Sequence, residues 1–273
     1  MIYKTFRIMD GVEVYEYGYA PLGLEYLLYT VHFFRIGDTL VDTGSFKSRK
    51  ALPDFSERPP AQVLLTHYHE DHSGNARYFQ QKYGTEIYGH PLTAPVLATG
   101  FPIQVYERIM FGPTEPLQIQ VFPEKIHIGP WEAEWLHVPG HSDDHCCFYV
   151  PEKGWLFSGD MYVADRIKIW RKTENLKLQR EGLRKLLALD FDTLFCAHNP
   201  QEKGGKERLR TKLDFFDNFY GEVALHAQRG TPLKESMRLL GRKESYFTRF
   251  MTEGDVSVEN MFRDVYREEG FLL

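Results

Sequence analysis

The residues best suited to chemistry are concentrated between His67 and His72, a segment that reads His-Tyr-His-Glu-Asp-His. Residues 61–66 just before it are apolar and follow two prolines, a pattern typical of a buried strand. Alternate side chains at the end of a strand point to the same side, so His67 and His69 are expected to face one site together. Imidazole nitrogens and carboxylate oxygens are ligands that suit Zn²⁺, Mn²⁺ and Fe²⁺. The segment therefore predicts a metal site.

Three more residues of the same chemical types stand just beyond apolar runs. They are His141, Asp160 and His198, which follow the runs at 131–138, 155–158 and 193–197. Loops at strand ends, held by a rigid scaffold, are where α/β proteins commonly build their sites. Each residue alone is more often structural than a ligand, but their shared placement favours one convergent site.

The chain alternates strand-like runs with helical periodicity. The expected strands are 26–36, 39–41, 61–66, 86–89, 125–128, 131–138, 145–150, 155–158 and 193–197. The expected helices are 71–83, 176–189, 206–228, 233–240 and 256–269. Strand 61–66, helix 71–83 and strand 86–89 form a βαβ unit, which implies a mixed or parallel sheet covered by helices.

Residues 99–123 form an irregular, aromatic-rich insertion broken by prolines. Such an insertion is either a lid or substrate-facing loop, or a surface flap whose aromatic rings pack down. The sequence leaves these two readings open.

Composition limits the classes of protein that the chain can represent. Its 273 residues include 33 Lys and Arg against 38 Asp and Glu, a formal net charge of −5, which disfavours a uniformly basic nucleic-acid binder. Three cysteines exclude a disulfide scaffold and fit a reducing compartment. The apolar runs are too short to span a bilayer, and the N-terminus lacks the apolar core of a secretory signal. We therefore expect a cytoplasmic protein with no membrane partner.

The motifs resemble those of a known family. In chain order they are His67-x-His69-x-Asp71-His72, Pro139-Gly140-His141-Ser142, Ser158-Gly159-Asp160 and Ala197-His198. Together they resemble the metallo-β-lactamase superfamily, and most closely its glyoxalase II-like metallohydrolase branch. The resemblance implies an α+β fold, a four-layer αββα sandwich with a C-terminal helical extension. It also implies a catalytic domain at residues 1–202 and the helical extension at residues 203–273.

The resemblance implies a site with two divalent metal ions. The first ion is held by His67, His69 and His141, the second by Asp71, His72 and His198, and Asp160 bridges both together with a water or hydroxide. Asp42 matches the early aspartate of the family and fixes a ligand imidazole through its other nitrogen. Zn²⁺ is the favoured metal, with Fe²⁺ and Mn²⁺ left open. Asp71 and Asp160 are the expected catalytic carboxylates, and His145 is either a proton donor or an outer contact of the site.

The function implied by the resemblance is a dinuclear metal-dependent hydrolase acting on a thioester, a lactone or another ester-like small molecule. A basic bias over residues 165–185 favours an anionic substrate, unless those charges belong to a solvated helix face. The alternatives are a phosphodiesterase or ribonuclease of the same fold, a mononuclear iron persulfide dioxygenase, and a metal-binding protein without catalysis. The C-terminal helices are expected to pack over the edge of the site or to form a homodimer contact.

Overall fold

Two sheets carry the architecture, and the computed structural model describes residues 1–24 and 29–271. The strands of the first sheet are β1 (Ile2–Met9), β2 (Val12–Tyr19), β3 (Tyr29–Ile36), β4 (Thr39–Val41), β5 (Gln62–Leu64), β6 (Glu86–Gly89) and β7 (Gln120–Val121). They lie side by side in chain order, antiparallel from β1 to β4 and parallel from β4 to β7. The part of the expected first strand at 26–28 lies outside the described residues.

The second sheet is built from the middle of the chain. Its strands are β8 (Ile126–Ile128), β9 (Trp131–His137), β10 (Cys146–Val150), β11 (Trp155–Gly159) and β13 (Thr193–Cys196). Their order is β13-β11-β10-β9-β8, with β11 and β13 parallel and the other pairs antiparallel. A separate small ribbon pairs β12 (Trp170–Arg171) with β14 (Val256–Ser257).

The helices connect and cover these sheets. They are α1 (Glu70–Ser73), α2 (Ala76–Tyr83), α3 (Thr93–Thr99), α4 (Val105–Met110), α5 (Leu176–Leu187), α6 (Gly205–Gln228), α7 (Leu233–Leu239), α8 (Tyr246–Met251) and α9 (Val258–Glu268). Local sequence explains their ends. The Asn175 side chain caps α5 by accepting a hydrogen bond from the Leu178 N–H, and α2 ends at Gly84 in the left-handed conformation that glycine adopts most readily.

Neighbouring side chains of β3 point to opposite faces of the first sheet and show which layer covers each face. Phe33 and Phe34 are neighbours and both are buried, but they face opposite sides of the sheet. Phe34 packs between the two sheets, with its ring centroid 5.6 Å from that of Phe157 and 5.3 Å from that of Phe195. Phe33 lies in a separate core with Phe79 of α2. The first sheet is therefore covered by a helical layer on one face and by the second sheet on the other.

The second sheet has its own helical layer. Leu156 of this sheet shares a core with Leu183 of α5, Phe216 of α6 and Phe262 of α9. The order of layers is thus helices, sheet, sheet, helices, and the expected α+β αββα sandwich is confirmed. The C-terminal helices belong to that outer core, while a domain boundary between residues 202 and 203 stays a prediction.

Several expectations about local structure were wrong. The helix expected at 71–83 is two helices, because the Asn75 amide donates hydrogen bonds to the backbone carbonyls of Thr43 and Ser45 and fixes a break after Gly74. The insertion at 99–123 is not irregular throughout, since it contains α4 and β7. The region from 256 begins as a short strand before α9, and α8 was not foreseen. None of the helices in the described ranges is long and apolar enough to cross a membrane.

The break between α1 and α2 requires a close backbone approach at Gly74. A Cβ there would lie 2.6 Å from the Phe46 backbone nitrogen and 3.0 Å from the Gly44 carbonyl oxygen. We expect Gly74→Ala to lower the free energy of unfolding by about 1–3 kcal/mol through overpacking. The matched control is Gly221→Ala, where a Cβ within α6 meets nothing within 4 Å and should raise stability by about 0.5–1 kcal/mol. Urea unfolding of both variants checks this, and equal effects would contradict it.

Candidate metal centre

The ends of four strands bring all seven sequence-predicted ligands to one place. His67 and His69 follow β5, and α1, which carries Asp71 and His72, begins directly after them. The other three follow β9, β11 and β13, and they are His141, Asp160 and His198. Their side chains are almost completely removed from solvent. They form three overlapping groups of possible metal ligands: His67, His69 and His141; His67, His72 and Asp160; and Asp71, His72 and His198.

The first group converges tightly enough to hold one ion. Nδ1 of His69 lies 3.0 Å from Nε2 of His67 and 3.0 Å from Nε2 of His141. Nitrogen ligands around a tetrahedral zinc ion at ~2.0–2.1 Å are about 3.3 Å from one another. The three imidazoles are therefore spaced as ligands of a single cation.

The second group is looser and meets the first at Asp160. Oδ2 of Asp71 lies 3.7 Å from Nε2 of His72 and 3.6 Å from Nε2 of His198. Oδ1 of Asp160 lies 3.3 Å and 3.2 Å from the same two nitrogens. Its other oxygen, Oδ2, lies 3.3 Å from Nε2 of His141. Asp160 thus presents one carboxylate oxygen to each group.

The protonation chemistry of these residues fits a divalent cation. Burial and the neighbouring histidines hold the pKa values of His67 and His69 well below the ordinary range, so both rings are neutral and offer lone pairs. Although burial acts in the opposite direction, the nearby His198, His72 and His141 keep the pKa of Asp160 well below its ordinary range. Nε2 of His72 and Oδ1 of Asp160 are buried without a hydrogen-bond partner. A bound cation would satisfy both atoms.

Asp42 lies behind one of the candidate ligand rings and contacts its far nitrogen. Its backbone has a positive φ of 60°, a conformation that aspartate tolerates better than most residues. Its Oδ2 accepts a hydrogen bond from Nδ1 of His72 at 2.9 Å, and both of its oxygens accept from Thr66. Because Nδ1 of His72 donates to Asp42, Nε2 is the nitrogen that faces the other candidate ligands and is placed to bind a metal.

Comparison with known proteins identifies the family. A family model described as the metallo-beta-lactamase superfamily matches residues 37–198 of the chain, a range that contains Asp42 and every predicted ligand. The chain belongs to the metallo-β-lactamase superfamily. Hydroxyacylglutathione hydrolase from Hydrogenovibrio crunogenus is 30% identical to it over 163 residues, which are 58% of this chain and 52% of that protein. The chain spans about half the length of such hydrolases.

Solved structures support the same fold. A beta-lactamase domain protein from Burkholderia ambifaria superposes with a TM-score of 0.68 at 19% identity, covering 97% of this chain and 89% of that one. A di-iron-bound form of TTHA1623 has a TM-score of 0.50 at 26% identity, covering 69% of this chain and 96% of the other. The first similarity extends the shared fold over the C-terminal helices as well.

Three contacts of this metallo-β-lactamase superfamily site were not foreseen. Glu174 accepts a hydrogen bond from Nδ1 of His141 at 2.9 Å, and the Thr30 carbonyl accepts one from Nδ1 of His198 at 2.9 Å. The Tyr29 hydroxyl lies 3.0 Å from Nε2 of His198. Glu174 is 33 residues from His141, and Thr30 and Tyr29 are 168 and 169 residues from His198, so no local sequence pattern predicts these contacts.

The remaining histidine candidate is placed behind the ligands. His145 is fully buried, and its Nε2 accepts a hydrogen bond from the backbone N–H of Asp160 at 3.0 Å. The ring therefore holds the Asp160 backbone in position, which favours an outer contact over a proton donor. His90 stacks on His137 with a centroid distance of 4.2 Å and is absent from the groups of possible ligands.

A cavity of about 520 Å³ lies beside the metal centre, with His141 and Asp160 in its wall. Its wall also includes Lys212 of α6, which is 2% exposed and donates a hydrogen bond to the Met161 carbonyl at 2.8 Å. Burial lowers the pKa of this lysine to about 8. No sequence pattern predicted the position of Lys212, because it is one of many charged residues along α6.

The role of Asp42 can be tested through metal affinity. We expect Asp42→Asn to weaken metal binding about 10- to 100-fold, because an amide cannot replace the carboxylate that accepts from both His72 and Thr66. Asparagine also tolerates the positive φ, so the fold should survive. Asp38→Asn, in an exposed turn on the same sheet, is the matched control and should bind metal normally. Competition with a chromophoric chelator measures both affinities. An unchanged affinity in Asp42→Asn would show that the hydrogen bond from His72 to Asp42 does not contribute to metal binding.

The buried Lys212 predicts a pH dependence of stability. Its folded pKa of about 8 lies below the ordinary 10.5, so the unfolded chain binds more protons between these two values. Stability contributed at this site should therefore rise with pH from about 8 to about 10.5, as the buried charge is removed. We expect Lys212→Met to lose this increase in the free energy of unfolding between about pH 8 and about pH 10.5. Urea unfolding at several pH values in one metal-supplemented buffer measures it. Lys206→Met, at the start of the same helix, is the control and should retain the increase. Parallel plots of the free energy of unfolding against pH for wild type and Lys212→Met would refute the prediction.

Proposed function

We propose that the protein is a dinuclear metal-dependent hydrolase of a thioester, a lactone or another ester-like small molecule. The observation that carries the proposal is Asp160, whose two carboxylate oxygens face two separate groups of buried ligands. We assign His67, His69 and His141 to one ion and Asp71, His72 and His198 to the other. Zn²⁺ is the favoured metal, because its tetrahedral nitrogen spacing matches the first group.

Two divalent cations bound there would supply Lewis acidity and lower the pKa of a shared water towards neutrality. The chain's own contribution is to fix the ligands. Asp42 and Glu174 each accept a hydrogen bond from the far nitrogen of a ligand imidazole, which sets its tautomer and orientation. Asp71 brings a carboxylate to the second group, where it can orient an attacking water or take its proton.

The names of the relatives support a thioester or similar bond as the target. Several are named hydroxyacylglutathione hydrolase, a name that describes cleavage of a thioester. Because this chain spans about half of those proteins, only the bond type is carried over, and their glutathione specificity is not.

The basic stretch at 165–185 gives little support to phosphodiester cleavage. Arg171 pairs with Glu107 and Asp255, and both Arg180 and Arg184 pair with Asp217. These cations are therefore already neutralised by the protein. Arg166 and Lys168 are exposed at the cavity and are the ones placed to meet an anionic part of a substrate.

Metal analysis combined with a substrate panel tests the proposal. We expect close to two divalent ions per chain and turnover of thioesters or lactones. The panel includes bis(p-nitrophenyl) phosphate and short RNA for the phosphodiesterase alternative. One iron per chain with oxygen uptake on glutathione persulfide would instead favour the dioxygenase. A metal-loaded protein inert to the whole panel would overturn the proposal.

Asp160→Asn tests the bridging carboxylate directly. We expect it to lower kcat/KM at least about 100-fold and to weaken metal binding, since an amide offers one oxygen where the carboxylate offers two. Asp214→Asn, an exposed carboxylate on α6, is the control and should leave both unchanged. Metal content and hydrolysis are measured on the same preparations. Full activity in Asp160→Asn would contradict the proposed role of Asp160 as the carboxylate shared by the two ions.

A further inference from the structure

The cavity beside the metal centre is walled by three segments that are distant in sequence. These are α4 with the residue after it, the loop between Asp160 and β12, and the region from α8 to β14. Most of the side chains that they contribute are apolar, among them Met110, Phe111, Val163, Ile167, Ile169 and Trp170. Ligand cavities of about 300–1,000 Å³ usually enclose most of a small ligand, so a volume of about 520 Å³ can hold a substantial group.

Three polar residues of the cavity, Gln179, Glu174 and Lys212, make hydrogen bonds close to the candidate metal ligands. The Gln179 amide donates to Glu174 at 3.2 Å, and Glu174 in turn accepts from His141. Lys212 donates to the carbonyl of Met161, the residue that follows Asp160. These groups are thus already hydrogen-bonded beside the ligands. Apart from the exposed Arg166 and Lys168, the wall contributed by α4 and the loop is mainly apolar.

Two half-buried polar groups on the other wall segments, the Arg171 guanidinium and the Tyr106 hydroxyl, also have partners within the protein. Arg171 is paired with Glu107 and Asp255, and the Tyr106 hydroxyl donates to Asp255 at 2.8 Å. A charged substrate group placed against this wall would therefore lose water without gaining a partner, which costs several kcal/mol. An apolar group would gain free energy from the same burial.

We infer that the substrate is an ester or thioester of an apolar acyl chain, and that this chain lies in the cavity with the scissile carbonyl at the His141 and Asp160 end. This inference rests on the proposed hydrolase function and narrows its substrate. A hydroxyacyl group, which is short and polar, would gain little from this apolar wall. The more polar leaving group lies towards the exposed Arg166 and Lys168.

A homologous series of substrates tests the inference. N-acetylcysteamine thioesters of acetyl, butanoyl, hexanoyl and octanoyl groups differ only in the length of the acyl chain. We expect kcat/KM to rise about threefold per added methylene, or nearly a hundredfold from butanoyl to octanoyl, because each methylene is removed from water. A hydroxyacylglutathione thioester should be slower than octanoyl. Turnover that does not depend on chain length, or that is fastest with the glutathione thioester, would overturn the inference.

Larger side chains in the cavity wall provide a second test, because they should exclude the longer acyl chains. Ala164→Trp should abolish the gain from longer chains while leaving acetyl turnover nearly unchanged, and Val163→Phe gives a smaller change on the same wall if the first variant fails to fold. The control is Ala188→Trp, an exposed position at the end of α5, which should keep the wild-type series. A full chain-length dependence in both cavity variants would overturn the inference.

A binding measurement separates this inference from the hydrolase proposal. Octanoate binding is followed by calorimetry on the metal-loaded wild type and on both cavity variants. If no ester, thioester or lactone is turned over, the proposed function fails, whereas octanoate binding that is lost in the cavity variants still supports an acyl site. Absence of octanoate binding to the wild type would overturn the inference whatever the activity.

Discussion

Burial of four histidines and two aspartates around a single point is the constraint on which the rest of this structure depends. Side chains of these types are seldom buried unless they are hydrogen-bonded, paired or bound to a metal. Here the near atoms of the rings and carboxylates face one another across 3.0–3.7 Å, and the well-shielded side chain of His198 completes the set. Such an arrangement is costly in an apolar core and becomes favourable when cations occupy its centre. The strands that end there are arranged to meet this one requirement.

The surrounding contacts direct the lone pairs inward. Three far ring nitrogens donate outward: Nδ1 of His72 to Asp42, Nδ1 of His141 to Glu174 and Nδ1 of His198 to the Thr30 carbonyl. The backbone is equally constrained, because Gly159 has a positive φ of 47° and a Cβ at this position would lie 2.6 Å from Nε2 of His145. The glycine before Asp160 is therefore required by the close approach of the His145 ring, which accepts a hydrogen bond from the Asp160 backbone N–H.

The sequence was most informative where residues of one chemical type lie close together in the chain. The histidines and aspartates of the 67–72 segment are close in the chain, so their convergence followed from a strand running into a helix. The alternating apolar runs likewise predicted most strands of the two sheets. The break at Gly74 was missed because its cause, the Asn75 amide bonded to a distant loop, is tertiary. Glu174 and Lys212 were missed for the same reason, since each reaches the site from a segment whose own pattern is that of an ordinary charged surface. The site assignments and the domain boundary remain predictions.

The walls of the cavity and the ligands of the metal centre come largely from different parts of the chain. The ligands stand at strand ends and in α1, whereas α4 and α8, which line the cavity, contribute none of them. Substitutions in α4 or α8 can therefore reshape the space for a substrate while the catalytic centre stays intact. Related proteins could diverge in what they cleave by exchanging these two short helices, each of six residues, and still inherit the same chemistry.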